Sequence, residues 1–127
     1  MPFAEAAFKL GAVKIQGVDI DPVSAATARK NFKLNGGKGG EFKAQNILRS
    51  PGRSVYDAVA ANFISADLEA CRKPILQQVG PRGFLLLSGI SLKNLPGFLK
   101  AFKTPGFRRV CLIRGRSWAG LLYRKNA

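Results

Sequence analysis

Apolar positions along this chain fall into two kinds of pattern. Short runs bounded by turn residues alternate with stretches whose apolar residues recur every three or four positions. Strands interleaved with helices give that alternation, and it predicts an α/β fold. The first run, Ile15 to Ile20, reads as a buried strand that ends in an acid, Asp19. Asp21 then suits an N-cap and Pro22 the first helical position, where a missing N–H costs nothing. Val23, Ala25, Ala28 and Phe32 follow at helical spacing, and Asn35-Gly36 ends the helix.

The pattern extends in both directions. Met1 to Leu10 predicts a helix closed by Gly11. Gly36, Gly37, Gly39 and Gly40 surround Lys38, but neither G-x-G-x-x-G nor a phosphate-loop spacing occurs, so the segment reads as a connection. Glu41 to Ala44 is a short strand and Tyr56 to Ala61 a longer one, with Pro51-Gly52 marking the loop between them. Ser65 to Val79 predicts one helix, kinked or broken at Pro74. Gly80-Pro81-Arg82-Gly83 reads as a turn, and Phe84 to Leu87 as a strand buried on both faces. A helix over Ser91 to Phe102 is weakened by Pro96-Gly97. Phe107 to Arg114 and Ser117 to Arg124 then form a closing antiparallel hairpin, in which Trp118 reads as a packing residue.

Length and composition narrow the classes. A chain of 127 residues supports one domain, and 46% apolar content excludes a disordered one. No run spans a bilayer, and the first ten residues lack a signal-peptide layout, so a cytoplasmic protein with no membrane partner is expected. The chain has no histidine, and Cys71 and Cys111 lie in no ligand spacing. Zinc sites and histidine catalysis are therefore excluded, and the two cysteines read as reduced core thiols. Charge is the unusual bulk property: 21 Lys and Arg stand against 7 Asp and Glu, with no acid after Glu69. Such a field favours anionic partners such as ribosomal RNA, or else belongs to solvated faces.

A strand ending in an acid before a helix is one way α/β sheets hold a nucleotide-type cofactor, the carboxylate accepting ribose hydroxyls. The same Asp19 also serves as a turn cap. The stretch GVDIDPVSAATARKNFKLNG resembles the second strand and following helix of class I S-adenosylmethionine-dependent methyltransferases. With YDAVAANFI, FLLLSGI and a terminal RKN in collinear order, the chain is most similar to the bacterial ribosomal protein L11 methyltransferases (PrmA type). The resemblance implies a Rossmann-like, mainly parallel sheet with a C-terminal antiparallel hairpin.

It also implies S-adenosyl-L-methionine as cofactor and amino groups of a ribosomal protein as acceptor. Residue by residue, Asp19 falls on the ribose, Ile20 and Ile47 flank the adenine, and Asn46 meets the adenine edge. Asn62 lies beside the transferring methyl group as the catalytic position, with Ser88 and Gly89 on the substrate side. Asn46 also reads as a turn residue and Asn62 as a cap for the next helix. The family's first strand and glycine-rich turn have no counterpart before Met1. From this follow the expectations of an N-terminally incomplete domain, weak cofactor binding without turnover, and sheet edges open to homo-oligomers. Two other classes fit the charge: a non-catalytic basic module that binds RNA or ribosome, and a nucleic-acid methyltransferase. The second lacks an N/D-P-P-Y motif at Ala61 to Ile64.

Overall fold

The computed structural model describes residues 9–11, 14–19, 21–38, 40–44, 47 and 55–127. By internal packing the chain divides into two compact units, Met1–Pro51 and Gly52–Ala127. In the first, strand β1 (Ile15–Asp19) leads into helix α1 (Pro22–Leu34) and then strand β2 (Gly40–Ala44). The two strands pair in parallel, with Asp19 opposite Ala44. The α1 start follows the chemistry its sequence predicts. The Asp21 carboxylate accepts the Val23 N–H at 3.0 Å and the Ser24 hydroxyl at 3.0 Å, and Pro22 occupies the first turn. Asn35 caps the other end, and Gly36 takes a φ of +81°.

Ile15, Ala28, Phe32 and Phe42 form the core of this unit, with the two phenyl rings tilted at 5.3 Å. Val23, one of the apolar positions of the helical pattern, points to solvent instead. Two glycines of the connection, Gly37 and Gly40, lie against Phe32. A Cβ on Gly37 would lie 2.5 Å from that ring, and one on Gly40 2.6 Å. Arg29 donates to the Phe42 carbonyl and ties α1 to β2. The expected helix over Met1 to Leu10 lies mostly outside the described residues. Gly11, its expected stop, has a φ of +102°.

The second unit is a four-stranded sheet in the order β3-β4-β6-β5. Its strands are β3 (Tyr56–Asn62), β4 (Val79–Ser91), β5 (Phe107–Arg114) and β6 (Trp118–Lys125). β3 and β4 are parallel, while β6 runs antiparallel to both β4 and β5. The chain is therefore α/β, with parallel strand pairs and the expected C-terminal hairpin. Helices α2 (Ser65–Ala70), α3 (Arg72–Gln77) and α4 (Leu95–Ala101) complete the unit.

Four expectations about this unit are corrected. The single helix from Ser65 to Val79 is two helices that break at Cys71. Pro74 falls in the first turn of α3, where it displaces no hydrogen bond, and Val79 is fully buried as the first residue of β4. The Gly80–Gly83 turn is absorbed into β4 as a bulge: Tyr56 pairs with Val79, and two residues later Ala58 pairs with Phe84. Helix α4 begins only at Leu95, with Pro96 in its first turn, so the proline starts the helix instead of weakening it. Finally, the Phe84–Leu87 run is not buried on both faces. Leu85 and Leu87 are fully buried and Leu86 only partly so, and Phe84 is 39% exposed beneath the Arg124 guanidinium.

Burial falls on one sheet face because register partners share a side. Leu85 pairs with Tyr123 and Leu87 with Leu121, and all four are buried with Leu68, Ile75, Phe98 and Phe102. The rings of Phe98 and Phe102 stack at 4.9 Å. Lys125 Nζ donates to the Val79 carbonyl at 2.9 Å, fastening the end of β6 to the start of β4. Cys71 is buried and Cys111 partly buried, and both are free thiols.

Candidate active site

In parallel strands the carboxyl ends fall on the same side, and here those ends carry the polar residues. Asn62 closes β3 and pairs directly with Ser88 of β4, and the Phe63 N–H donates to the Ser88 carbonyl at 3.3 Å. Immediately beyond Ser88 the β4 register shifts at Gly89, which takes a φ of +86°. Only glycine adopts this at no steric cost. Space demands it as well: a Cβ on Gly89 would lie 2.5 Å from the Phe63 carbonyl oxygen and 2.8 Å from Asn62 Oδ1. Two oxygens therefore gather over the bare Cα of Gly89.

A cavity of about 480 Å³ opens at this point, lined by Asn62, Phe63, Ile64, Gly89 and Trp118. Among the described residues, no ionisable side chain lines it. Asn62 does not cap the helix that follows. The α2 N-cap is Ile64, whose side chain makes no capping bond. The Asn62 carboxamide is exposed at the cavity wall, able both to donate and to accept without becoming charged.

The mouth is fixed from two further elements. Asn94 Nδ2 donates to Ser65 Oγ at 3.4 Å, linking the start of α4 to the start of α2. The Ser91 hydroxyl accepts the Asn94 N–H at 3.2 Å. Trp118 opens β6 opposite Ser91. Its carbonyl accepts the Gly115 N–H at 2.8 Å, and the Ser117 carbonyl accepts the Leu92 N–H at 3.0 Å. Those bonds hold the backbone, while the indole is 56% exposed. Trp118, expected as a packing residue, is more than half exposed and is among the residues that line the cavity. Phe63, Ile64 and Trp118 were not candidates from sequence. Trp118 is distant in sequence from Asn62, and only the β4–β6 register brings the two to one end of the sheet.

In the other unit, Asp19 is partly buried at the end of β1, where its Oδ1 accepts the Asp21 N–H at 2.9 Å. This is the turn-capping role. A carboxylate accepts about four hydrogen bonds, so capping leaves capacity for a second partner. Ile47 sits in a turn, partly exposed. Ile20 and Asn46 lie outside the described residues. Among the described residues no cluster of acids and cysteines could hold a metal ion, and no helix is long and apolar enough to cross a membrane.

Comparison with known proteins adds the lineage. The profile of the family described as ribosomal protein L11 methyltransferase (PrmA) matches residues 3–126. A ribosomal protein L11 methyltransferase of Geobacter metallireducens is 35% identical over 120 residues, covering 94% of this chain and 39% of that protein. Its counterpart in Geobacter sulfurreducens is 34% identical over 123 residues, covering 97% of this chain and 40% of that protein. The chain thus spans about two fifths of the length of these curated relatives.

Among solved structures, a ribosomal protein L11 methylase from Lactobacillus delbrueckii subsp. bulgaricus superposes with a TM-score of 0.88 at 25% identity. It covers 99% of this chain and 65% of that one. The N-methyltransferase NodS from Bradyrhizobium japonicum, in complex with S-adenosyl-L-homocysteine, shares the fold alone. Its TM-score is 0.72 at 12% identity, covering 90% of this chain and 67% of that one.

Proposed function

The chain belongs to the ribosomal protein L11 methyltransferase (PrmA) family, and from that premise we propose that it serves S-adenosylmethionine-dependent methyl transfer to amino groups of a ribosomal protein, in the cytoplasm. The observation that carries this reading is the pairing of Asn62 with Ser88 at the carboxyl ends of two parallel strands, beside a cavity whose described lining residues are uncharged. Ligands of open α/β sheets bind outside such ends.

The family resemblance assigns the cofactor roles residue by residue. Asp19 has acceptor capacity beyond its turn bond and would hold the ribose hydroxyls. Ile20 and Ile47 would flank the adenine, and Asn46 would meet its edge. The cofactor supplies an activated, cationic methyl donor, so protein groups need chiefly to align the acceptor and exclude water. Asn62 would orient the acceptor nitrogen through its Oδ1, and Ser88 and Gly89 would shape the substrate side. Among the described residues, no side chain lining the cavity is a general base, so the acceptor proton would leave to solvent.

Titration calorimetry with S-adenosyl-L-homocysteine, paired with a methyl-transfer assay on ribosomal protein L11, tests the reading. In a form of the protein that binds the cofactor, Asp19→Ala is expected to weaken that binding by about 1.5–3 kcal/mol, the worth of hydrogen bonds to a charged group. Asn62→Ala is expected to lower turnover with cofactor affinity retained. Unchanged calorimetric affinity in Asp19→Ala would leave that residue as a turn cap only. Equal turnover in Asn62→Ala would remove it from the chemistry.

A second reading has its own observation. Arg108, Arg109, Arg114 and Arg116 are all exposed on the closing hairpin of a half-chain without acids. That surface suits ribosomal RNA as an additional partner.

A further inference from the structure

Phe84, Arg124 and Arg108 form one row across three neighbouring strands. Phe84 of β4 pairs with Arg124 of β6, which pairs in turn with Arg108 of β5. Register partners share a face, and this is the face opposite the buried Leu85 and Tyr123. Arg124 holds its guanidinium 5.0 Å over the Phe84 ring, which stays 39% exposed, and Arg108 is exposed beside it. Like charges directly opposite one another across a strand pair are destabilising. An acid would relieve the pair, but β4, β5 and β6 carry none. Among the described residues neither guanidinium has an ion-pair partner. Arg82, two residues before Phe84, adds an exposed cation held at a φ of +60°, a conformation disfavoured for its side chain. The arginines thus repel one another with nothing internal to offset it, and an anion is what would.

We infer that this row is a docking site for single-stranded RNA, with a base stacked on the Arg124–Phe84 pair and the adjoining phosphates held by Arg108 and Arg82. The inference rests on the reading of RNA as an additional partner and assigns that role to one place. Aromatic rings and guanidinium planes are the surfaces on which unpaired bases stack, and the arginine fork matches phosphate oxygens. A duplex keeps its bases from such a platform. An acidic peptide would satisfy the charges and leave the ring without a stacking partner. The row also lies clear of the chemistry. Ser88, beside Asn62, is four residues along β4 from Phe84, about 13 Å at the rise of a strand. RNA held at the row leaves the cavity open, as an anchor does.

The full chain is titrated into a short fluorescein-labelled oligouridylate and into an abasic strand of equal length, read by anisotropy, with polyglutamate as competitor. Oligouridylate is expected to bind roughly five- to hundredfold more tightly than the abasic strand, the worth of a stacked base. Arg108→Gln should weaken oligouridylate binding. It should also make the slope of log affinity against log salt shallower by about 0.7, one phosphate contact on a single strand. Arg124→Lys keeps the charge and loses the plane, so it should bring the two strands to similar affinity. Arg116→Gln removes an exposed arginine at the hairpin turn, away from the row, and should leave the slope unchanged.

Equal affinity of the unaltered chain for the two strands, stronger binding of polyglutamate than of oligouridylate, or equal losses in Arg108→Gln and Arg116→Gln would each overturn the inference. RNA binding that persists in those cases leaves the broader reading of RNA as a partner standing. Failure of either strand to bind at low salt would overturn the inference and that reading together.

Discussion

Gly89 shows at the residue scale how one backbone angle shapes a site. Its left-handed conformation shifts the β4 register and leaves room for the Asn62 and Phe63 oxygens. Gly89→Ala would carry both a disfavoured φ and a 2.5 Å contact with a backbone carbonyl, and it is expected to lose about 1–3 kcal/mol of stability. Urea unfolding reads this directly, and an unchanged midpoint would mean that the bulge is not constrained.

Tyr123 carries a different kind of information. Burial pushes its phenol above the ordinary value of about 10, and the Arg109 guanidinium partly offsets the rise. With the folded pKa raised, the native state holds the proton after the unfolded chain has lost it. The stability linked to Tyr123 is therefore intact below about pH 10 and falls as pH rises through the folded value. Comparing unfolding free energies at pH 8 and above pH 10 should show a decline that is smaller in Tyr123→Phe. Identical declines in the two proteins would mean that the buried phenol does not contribute.

At the scale of elements, proline position decides boundaries that apolar spacing leaves open. Pro74 and Pro96 both sit in first turns, so each marks where a helix begins. A missing N–H is harmless there, since the first four N–H groups of a helix have no partner within it. Gly97 is the complementary case. It lies inside α4, and a Cβ added there meets nothing within 4 Å. Gly97→Ala is therefore expected to stabilise the protein by about 0.5–1 kcal/mol by lowering the entropy of the unfolded chain. Thermal unfolding should show a higher midpoint. A lower one would mean that α4 needs the glycine for a conformation that alanine cannot take.

The whole molecule is dominated by its charge of +14. Among the described residues a single ion pair forms, Lys43 with Glu41 at 2.7 Å, and it is exposed on both sides. Its weak stabilisation leaves the cationic field essentially uncompensated. The lysine holds the Glu41 carboxyl below its ordinary range, chiefly through that hydrogen bond. If the acid-free half meets RNA, affinity for a ribosomal RNA fragment should fall by orders of magnitude between about 50 and 200 mM salt, through release of condensed counterions. Filter binding across that range is the measurement. Flat affinity would assign the arginines to solvated surface.

The sequence by itself determined the elements whose causes are local. Asp21 and Pro22 start α1, Asn35 and Gly36 end it, and Gly106, with a φ of +81°, turns the chain into β5. Collinear motifs also made the family legible, because strand-end residues are written next to the strand. Only tertiary structure decided the rest. Strand pairing set Asn62 beside Ser88, and the β4–β6 register carried Trp118 to the same end of the sheet. It also left Phe84 half covered within a uniformly apolar run. Periodicity records which residues can share a face, whereas cavities and exposure depend on which strands become neighbours, and that choice is made between positions far apart in the chain.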